Sequence, residues 1–220
     1  MNENTPFVIA NLKANKTWEE ISSWIDTVAR KAEDYPGTII FCPSFPFISS
    51  SAHKISANSY KIKLGIQDIS RFEQGPYTGE VAASQIKDLC QFSILGHSER
   101  RQNFGESDEI LAQKVQNATK AAITPIYCIQ DENTPIPQGV EIIAYEPVFA
   151  IGTGKPDTPE NAKSIARNLK KKGNYTVIYG GSVSEQNAAL FVEKDLIDGV
   201  LVATNSKNPQ SFTRIIEAIT

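Results

Sequence analysis

Eight short apolar runs, each closed by turn residues, constrain this chain more than any other feature. They begin at Phe7 (FVIANLK), Thr38 (TIIFCPS), Ile62 (IKLGIQD), Phe92 (FSILGHS), Pro125 (PIYCIQ), Val140 (VEIIAYEP), Tyr175 (YTVIYGGS) and Gly199 (GVLVAT). Most are continuous rather than alternating, which suits strands covered on both faces of a parallel sheet. Helical patterns lie between them. Trp18, Ile21, Ile25 and Val28 fall on one face behind Thr17, and Phe212, Ile215, Ile216 and Ile219 give an amphipathic last helix. Ser107 with two acids behind it starts another helix, where negative charge meets the positive end of the helix dipole. Thr158 and Pro159 start a further one, which ends in lysines and Gly173. The pattern is βα, repeated.

One interval breaks the rhythm. Strand starts fall roughly 24 to 35 residues apart, but Pro125 and Val140 are separated by only about 15. The joining segment DENTPIPQGV carries Pro135, Pro137 and Gly139, which disfavour a helix. A parallel crossover usually uses one. The spacing therefore predicts that the helix between strands 5 and 6 is missing or reduced to a loop; ten residues at ~3.3 Å each still span ~33 Å, enough to return along a strand.

At 220 residues and 40% apolar composition, the chain is expected to form one domain over residues 1–220. Lys+Arg 22 against Asp+Glu 25 gives a net charge of -3, with no basic tract or arginine-aromatic interleaving of the kind a nucleic-acid surface needs, so nucleic acid is not an expected partner. No apolar run approaches the roughly 18 residues of a membrane span, and the first residues lack a leader pattern. Cys42, Cys90 and Cys128 are widely spaced with no CxxC, which suggests neither a disulfide framework nor a zinc site. A cytoplasmic protein with no metal and no organic cofactor is the expectation.

Chemistry on a parallel sheet gathers at the carboxyl ends of strands. Those positions hold Asn11, Lys13, Gln67, His97, Glu146, Ser182, Ala203 and Thr204. A lysine, a histidine and a glutamate ending three strands suggest proton transfer beside a carbonyl. Glu146 would act as base, His97 as hydrogen-bond donor to the developing oxyanion, and Lys13 as positive charge. Glycine-rich turns at Gly152 and at Gly180, Gly181 and Ser182 could offer N–H groups to a phosphate. Singly, Glu146 reads as a salt-bridge partner, His97 as a structural histidine and Lys13 as solvated surface; the weight lies in the set. His53 has no matching partner and is assigned nothing. GTGKP invites a nucleotide-binding reading, but Phe149 stands where a P-loop needs glycine and Pro156 where it needs Ser or Thr. Asp157 likewise spoils a dinucleotide fingerprint.

The segments NLKAN, YTGEV, GHSERR, FGESDE, AYEPVFAIGTGK and YGGSV, in this order, resemble the signature stretches of the triosephosphate isomerase family. The resemblance implies a TIM (β/α)8 barrel. It also implies interconversion of dihydroxyacetone phosphate and D-glyceraldehyde 3-phosphate, a step of glycolysis and gluconeogenesis. By it Lys13 is the active-site lysine, Asn11 a substrate contact, His97 the electrophile and Glu146 the base. Glu99 would pair with Lys13, Gly152 and Ser182 would bind phosphate, PVFAIGTGK would form a closing lid, and Tyr179 would lie near its closed position. A homodimer is implied through the loop RFEQGPYTGE from Arg71 to Glu80, with Thr78 reaching the neighbour's Asn11 region. The chain departs from the family at Leu12 and Phe149, where tryptophan is usual, at Gln130 and Asp131, and at Ala203 and Thr204, where a glycine pair brings backbone close to the phosphate. Lower phosphate affinity is expected there, because a Cβ crowds the ligand or forbids a positive φ. The alternatives are a barrel enzyme acting on a larger phosphorylated sugar and a degenerate, non-catalytic isomerase homologue.

Overall fold

A computed structural model describes residues 6–147 and 156–220. Eight strands, β1 (Phe7–Asn11), β2 (Thr38–Cys42), β3 (Ile62–Ile66), β4 (Phe92–Leu95), β5 (Thr124–Ile129), β6 (Ile142–Tyr145), β7 (Thr176–Tyr179) and β8 (Gly199–Val202), pair in sequence order. All pairings are parallel, and Phe7 of β1 against Gly199 of β8 closes the barrel. Closure removes both sheet edges, so no strand is left with an unpaired backbone side.

Period-two alternation sorts the strand side chains into two cores. Ile9, Ile40, Ile94, Ile126, Ile142 and Ile178 join Leu201, Cys42, Cys128 and Ala144 in a cluster drawn from strands alone, which fills the barrel interior. Alternate strand residues, Phe41, Tyr127, Tyr145 and Tyr179 among them, belong to the outer core shared with the helices. These are α1 (Trp18–Ala32), α2 (Ile48–Ala57), α3 (Ala83–Ile86), α4 (Ser98–Phe104), α5 (Asp108–Lys120), α6 (Pro159–Lys172), α7 (Ala188–Phe191) and α8 (Pro209–Ala218).

The helix starts follow their caps. Thr17 and Glu20 form a reciprocal capping box on α1, Ser107 accepts from the Ile110 N–H on α5, and Thr158 accepts from the Asn161 N–H on α6. Gly173 after α6 is extended rather than left-handed, so it ends that helix without the usual glycine cap. One expectation about α1 fails. Trp18 is exposed at its first turn, and Trp24 takes the core place, stacked on Phe41 and donating its indole N–H to the Ser206 carbonyl at 2.7 Å. Trp24, nearly two turns on, faces both β2 and α8.

No helix joins β5 to β6. The segment is built from turns: the Asp131 carboxylate accepts from the Asn133 and Thr134 N–H groups, and Thr134 Oγ1 accepts from Gln130 and Asp131 N–H. Val140 is buried before β6 begins, and Ile136 packs against the outer core. The buried Tyr127 ring covers the wall beneath the loop; its hydroxyl donates to the Pro135 carbonyl at 3.2 Å and accepts from Arg101 Nη2 at 3.1 Å. Glu132 fastens the loop to α6 by accepting from Asn168 Nδ2 at 2.7 Å.

Candidate active site

A cavity of about 480 Å3 opens at the carboxyl ends of the strands. Lys13, His97 and Glu146, expected from three separate strand ends, all line it, as do Ser182, Ala203 and Thr204. Asn11 does not. It is buried behind Lys13, with its Oδ1 accepting from the Lys13 N–H at 3.0 Å. Gly152 and Phe149, with all of the expected lid except Pro147, lie outside the described residues.

Lys13 adopts φ 53°, a left-handed conformation that a residue with a Cβ rarely takes without support. The support is visible. Asn11 holds its N–H, while Gln67 Nε2 donates to its carbonyl at 2.9 Å and to that of Cys42 at the same distance. The strained backbone aims the ammonium at the cavity rim, where Glu99 Oε1 meets Nζ at 2.5 Å.

His97 follows β4 and caps α4. Its Nδ1 accepts the Glu99 N–H at 3.2 Å, so this nitrogen carries a lone pair and the proton resides on Nε2. That N–H points at the cavity, with Nε2 3.4 Å from Glu146 Oε1. The short helix thus fixes both the tautomer and the direction of the donor.

Glu146 leaves β6 in the inward register, one residue after the outward-facing Tyr145, and is buried. Its Oε2 accepts from the Ser98 N–H at 3.1 Å, the first N–H of α4. Below it lies Cys128, whose thiol is pushed well above its ordinary value by burial and then by the Glu146 charge, so it stays a donor. Gly180 is required here by close approach: a Cβ on it would come 2.9 Å from Glu146 Cγ.

At the far end, Ala203 has φ -105° and Thr204 opens a 3-10 turn running to Lys207. Neither is among the residues of positive φ, so the side chains that replace the family's glycines sit on unstrained backbone. Asn187 Nδ2 donates to the Ser182 carbonyl at 3.0 Å within the turn after β7, and Asn205 Nδ2 donates to the Val183 carbonyl at 2.5 Å, tying the turn after β8 to it.

The family profile described as "Triosephosphate isomerase" matches residues 6–140 and 137–219. The chain belongs to the triosephosphate isomerase family. A triosephosphate isomerase of Aquifex aeolicus (strain VF5) is 34% identical over 243 residues, covering 95% of this chain and 97% of the relative. One from Polynucleobacter asymbioticus is 37% identical over 248 residues, with 96% and 98% covered, and one from Mesomycoplasma hyorhinis 34% over 236, with 95% and 96% covered. The family match divides at residues 137–140, within the crossover that has no helix.

Sequence reasoning missed two groups that the structure of this triosephosphate isomerase homologue brings to the rim. Asp157, nearly fully buried between Tyr145 and Tyr179, reads in sequence only as one more loop charge. Asp68, Arg100, Glu106 and Lys114 form a second charged cluster beside α4, with Lys114 Nζ 2.7 Å from Asp68 and 2.5 Å from Glu106. Arg100 reaches the same two carboxylates, at 2.9 and 2.7 Å. Burial pushes the Asp68 carboxyl up to about 6, against the pull of Lys114.

Proposed function

We propose that this protein interconverts dihydroxyacetone phosphate and D-glyceraldehyde 3-phosphate, as one catalytic domain in the cytoplasm, within glycolysis and gluconeogenesis. The observation that carries the reading is the convergence of Lys13, His97 and Glu146 on one cavity of a chain belonging to this family. A glutamate base with a neutral histidine electrophile is the long-standing description of triosephosphate isomerase itself. The hydrogen bonds of His97 support that state in this chain.

Glu146 takes the proton from the carbon beside the carbonyl and returns it to the neighbouring carbon. The His97 Nε2–H donates to the oxygen on which charge develops, and Lys13 stabilises the enediolate electrostatically. Ser182, Ala203 and Thr204 border the phosphate end, and Asn11 supports Lys13 by holding its N–H; the family resemblance implies Gly152 as a further phosphate-binding residue. By the family resemblance PVFAIGTGK, residues 147–155, is the closing lid, and water exclusion by it protects the enediolate from loss of phosphate.

The working form is a homodimer joined through the 71–80 loop. Phe45, Tyr77 and Phe104 stay exposed on the isolated chain, and Phe72 stacks on Tyr77 at 3.9 Å to stiffen the loop. Such aromatic exposure suits a protein partner better than solvent.

Purified protein assayed in both directions with the triose phosphates and, in parallel, with longer sugar phosphates tests the reading. Turnover confined to the triose phosphates is expected. Folded, dimeric protein that acts only on a longer sugar, or on nothing, overturns it. Sedimentation tests the dimer directly.

A further inference from the structure

The carboxylate of Asp157 accepts three hydrogen bonds, from a phenol, a side-chain amide and a backbone N–H. Tyr145 donates its hydroxyl to Oδ2 at 3.1 Å, Asn161 Nδ2 donates to the same oxygen at 2.7 Å, and the Thr158 N–H donates to Oδ1 at 2.8 Å. The Asp157 N–H in turn donates to the Tyr179 hydroxyl at 2.9 Å. Tyr179 is itself held by stacking on Phe191 at 3.7 Å. Burial, then the Asp157 charge, raises the Tyr145 phenol, so it is protonated and acts as donor at any working pH.

These contacts join two points that are distant in sequence but adjacent in the mechanism. Tyr145 is the residue before Glu146, and Asp157 closes the segment that begins after Pro147. Tyr145 points outward into the layer between barrel and helices, and Glu146 points inward. Because successive strand residues face opposite ways, fixing the Tyr145 ring fixes the peptide that aims the Glu146 carboxylate.

We propose that Asp157 is a positioning residue for the isomerisation, acting through the Tyr145 hydroxyl to hold the Glu146 carboxylate in its reacting direction. The inference rests on the reading of Glu146 as base. Removing the tie leaves substrate contacts in place and misdirects the base, so it lowers kcat and spares KM.

Steady-state kinetics of Tyr145→Phe, Asp157→Ala and the double variant, alongside the wild type and with unfolding midpoints measured for each, test it. Tyr145→Phe removes one hydroxyl and keeps the ring, so it folds even if Asp157→Ala does not. Expected are a drop in kcat of about five- to twentyfold for Tyr145→Phe with KM within about twofold, and a double variant no slower than Asp157→Ala. A Tyr145→Phe enzyme with kcat within about twofold of wild type, or KM rising as much as kcat falls, overturns the proposal. Multiplying losses in the double variant do the same. An inactive wild type sinks the functional reading and this inference together, whereas an active wild type with an unaffected Tyr145→Phe sinks the tie alone.

Discussion

Two sets of charged and titratable side chains sit side by side on the rim, and α4 serves both. On one side Lys13, His97 and Glu146 line the cavity, with Glu99 paired to Lys13; on the other Asp68, Arg100, Glu106 and Lys114 lie behind it. The second set is closed: both cations touch both carboxylates, at 2.5 to 2.9 Å, and the lysine is almost wholly buried. The first set is open toward the cavity. Lys13 keeps side-chain exposure of 23%, and the His97 Nε2–H faces the Glu146 carboxylate at 3.4 Å. Residues of the same types therefore form a scaffold where every charge is neutralised by a neighbour, and on the function proposed above serve as chemistry where one face is left for a ligand.

Breaking the closed set should cost the most. Lys114→Ala leaves Asp68 and Glu106 buried with only Arg100 between them, and about 3–5 kcal/mol of stability should go, read as a lower denaturant midpoint. Breaking the open set should leave the midpoint alone. Glu146→Asp draws the carboxylate back by about one methylene, and turnover should fall about 100-fold or more with KM little changed; unchanged turnover would remove Glu146 from the role of base.

A pH series sharpens the contrast. Asp68 has a folded value near 6 against about 3.9 unfolded, so the folded state holds its proton more tightly. The stability contributed by that proton is fully present below about pH 3.9 and is lost as pH rises through 6. Asp68→Asn lacks this loss, so its stability relative to wild type should improve between about pH 4 and 7. A difference that stays flat across that range would show that Lys114 and Arg100 hold Asp68 ionised throughout. Smallest of all, Trp18→Ala should change stability by less than about 0.5 kcal/mol, since the ring is exposed at the first turn of α1. A larger loss would mean that a partner covers it.

Strand-end positions were legible because the barrel turns a one-dimensional rule, the last residue of each apolar run, into convergence in space. The absent crossover helix was legible through Pro135, Pro137 and Gly139, whose backbone chemistry is local. Lys114 was not legible. In a helical stretch it reads as a solvated face, and its partner Asp68 lies 46 residues away on another strand end. Asp157 shares that difficulty, since nothing local marks a carboxylate that will be buried beneath two tyrosines. Trp18 and Trp24 both fit an amphipathic stripe, and only their burial in the fold separates them.

The helix-free crossover also bears on how the barrel comes together. β5 ends at Ile129 and β6 starts at Ile142, so this parallel pair closes over a much shorter stretch of chain than its neighbours do. Closure entropy grows with loop length, by about 0.6 kcal/mol per doubling, and nearby segments meet sooner. β5 and β6 are thus the parallel strands whose meeting costs the chain least, and the strand that carries Glu146 is set early against a partner.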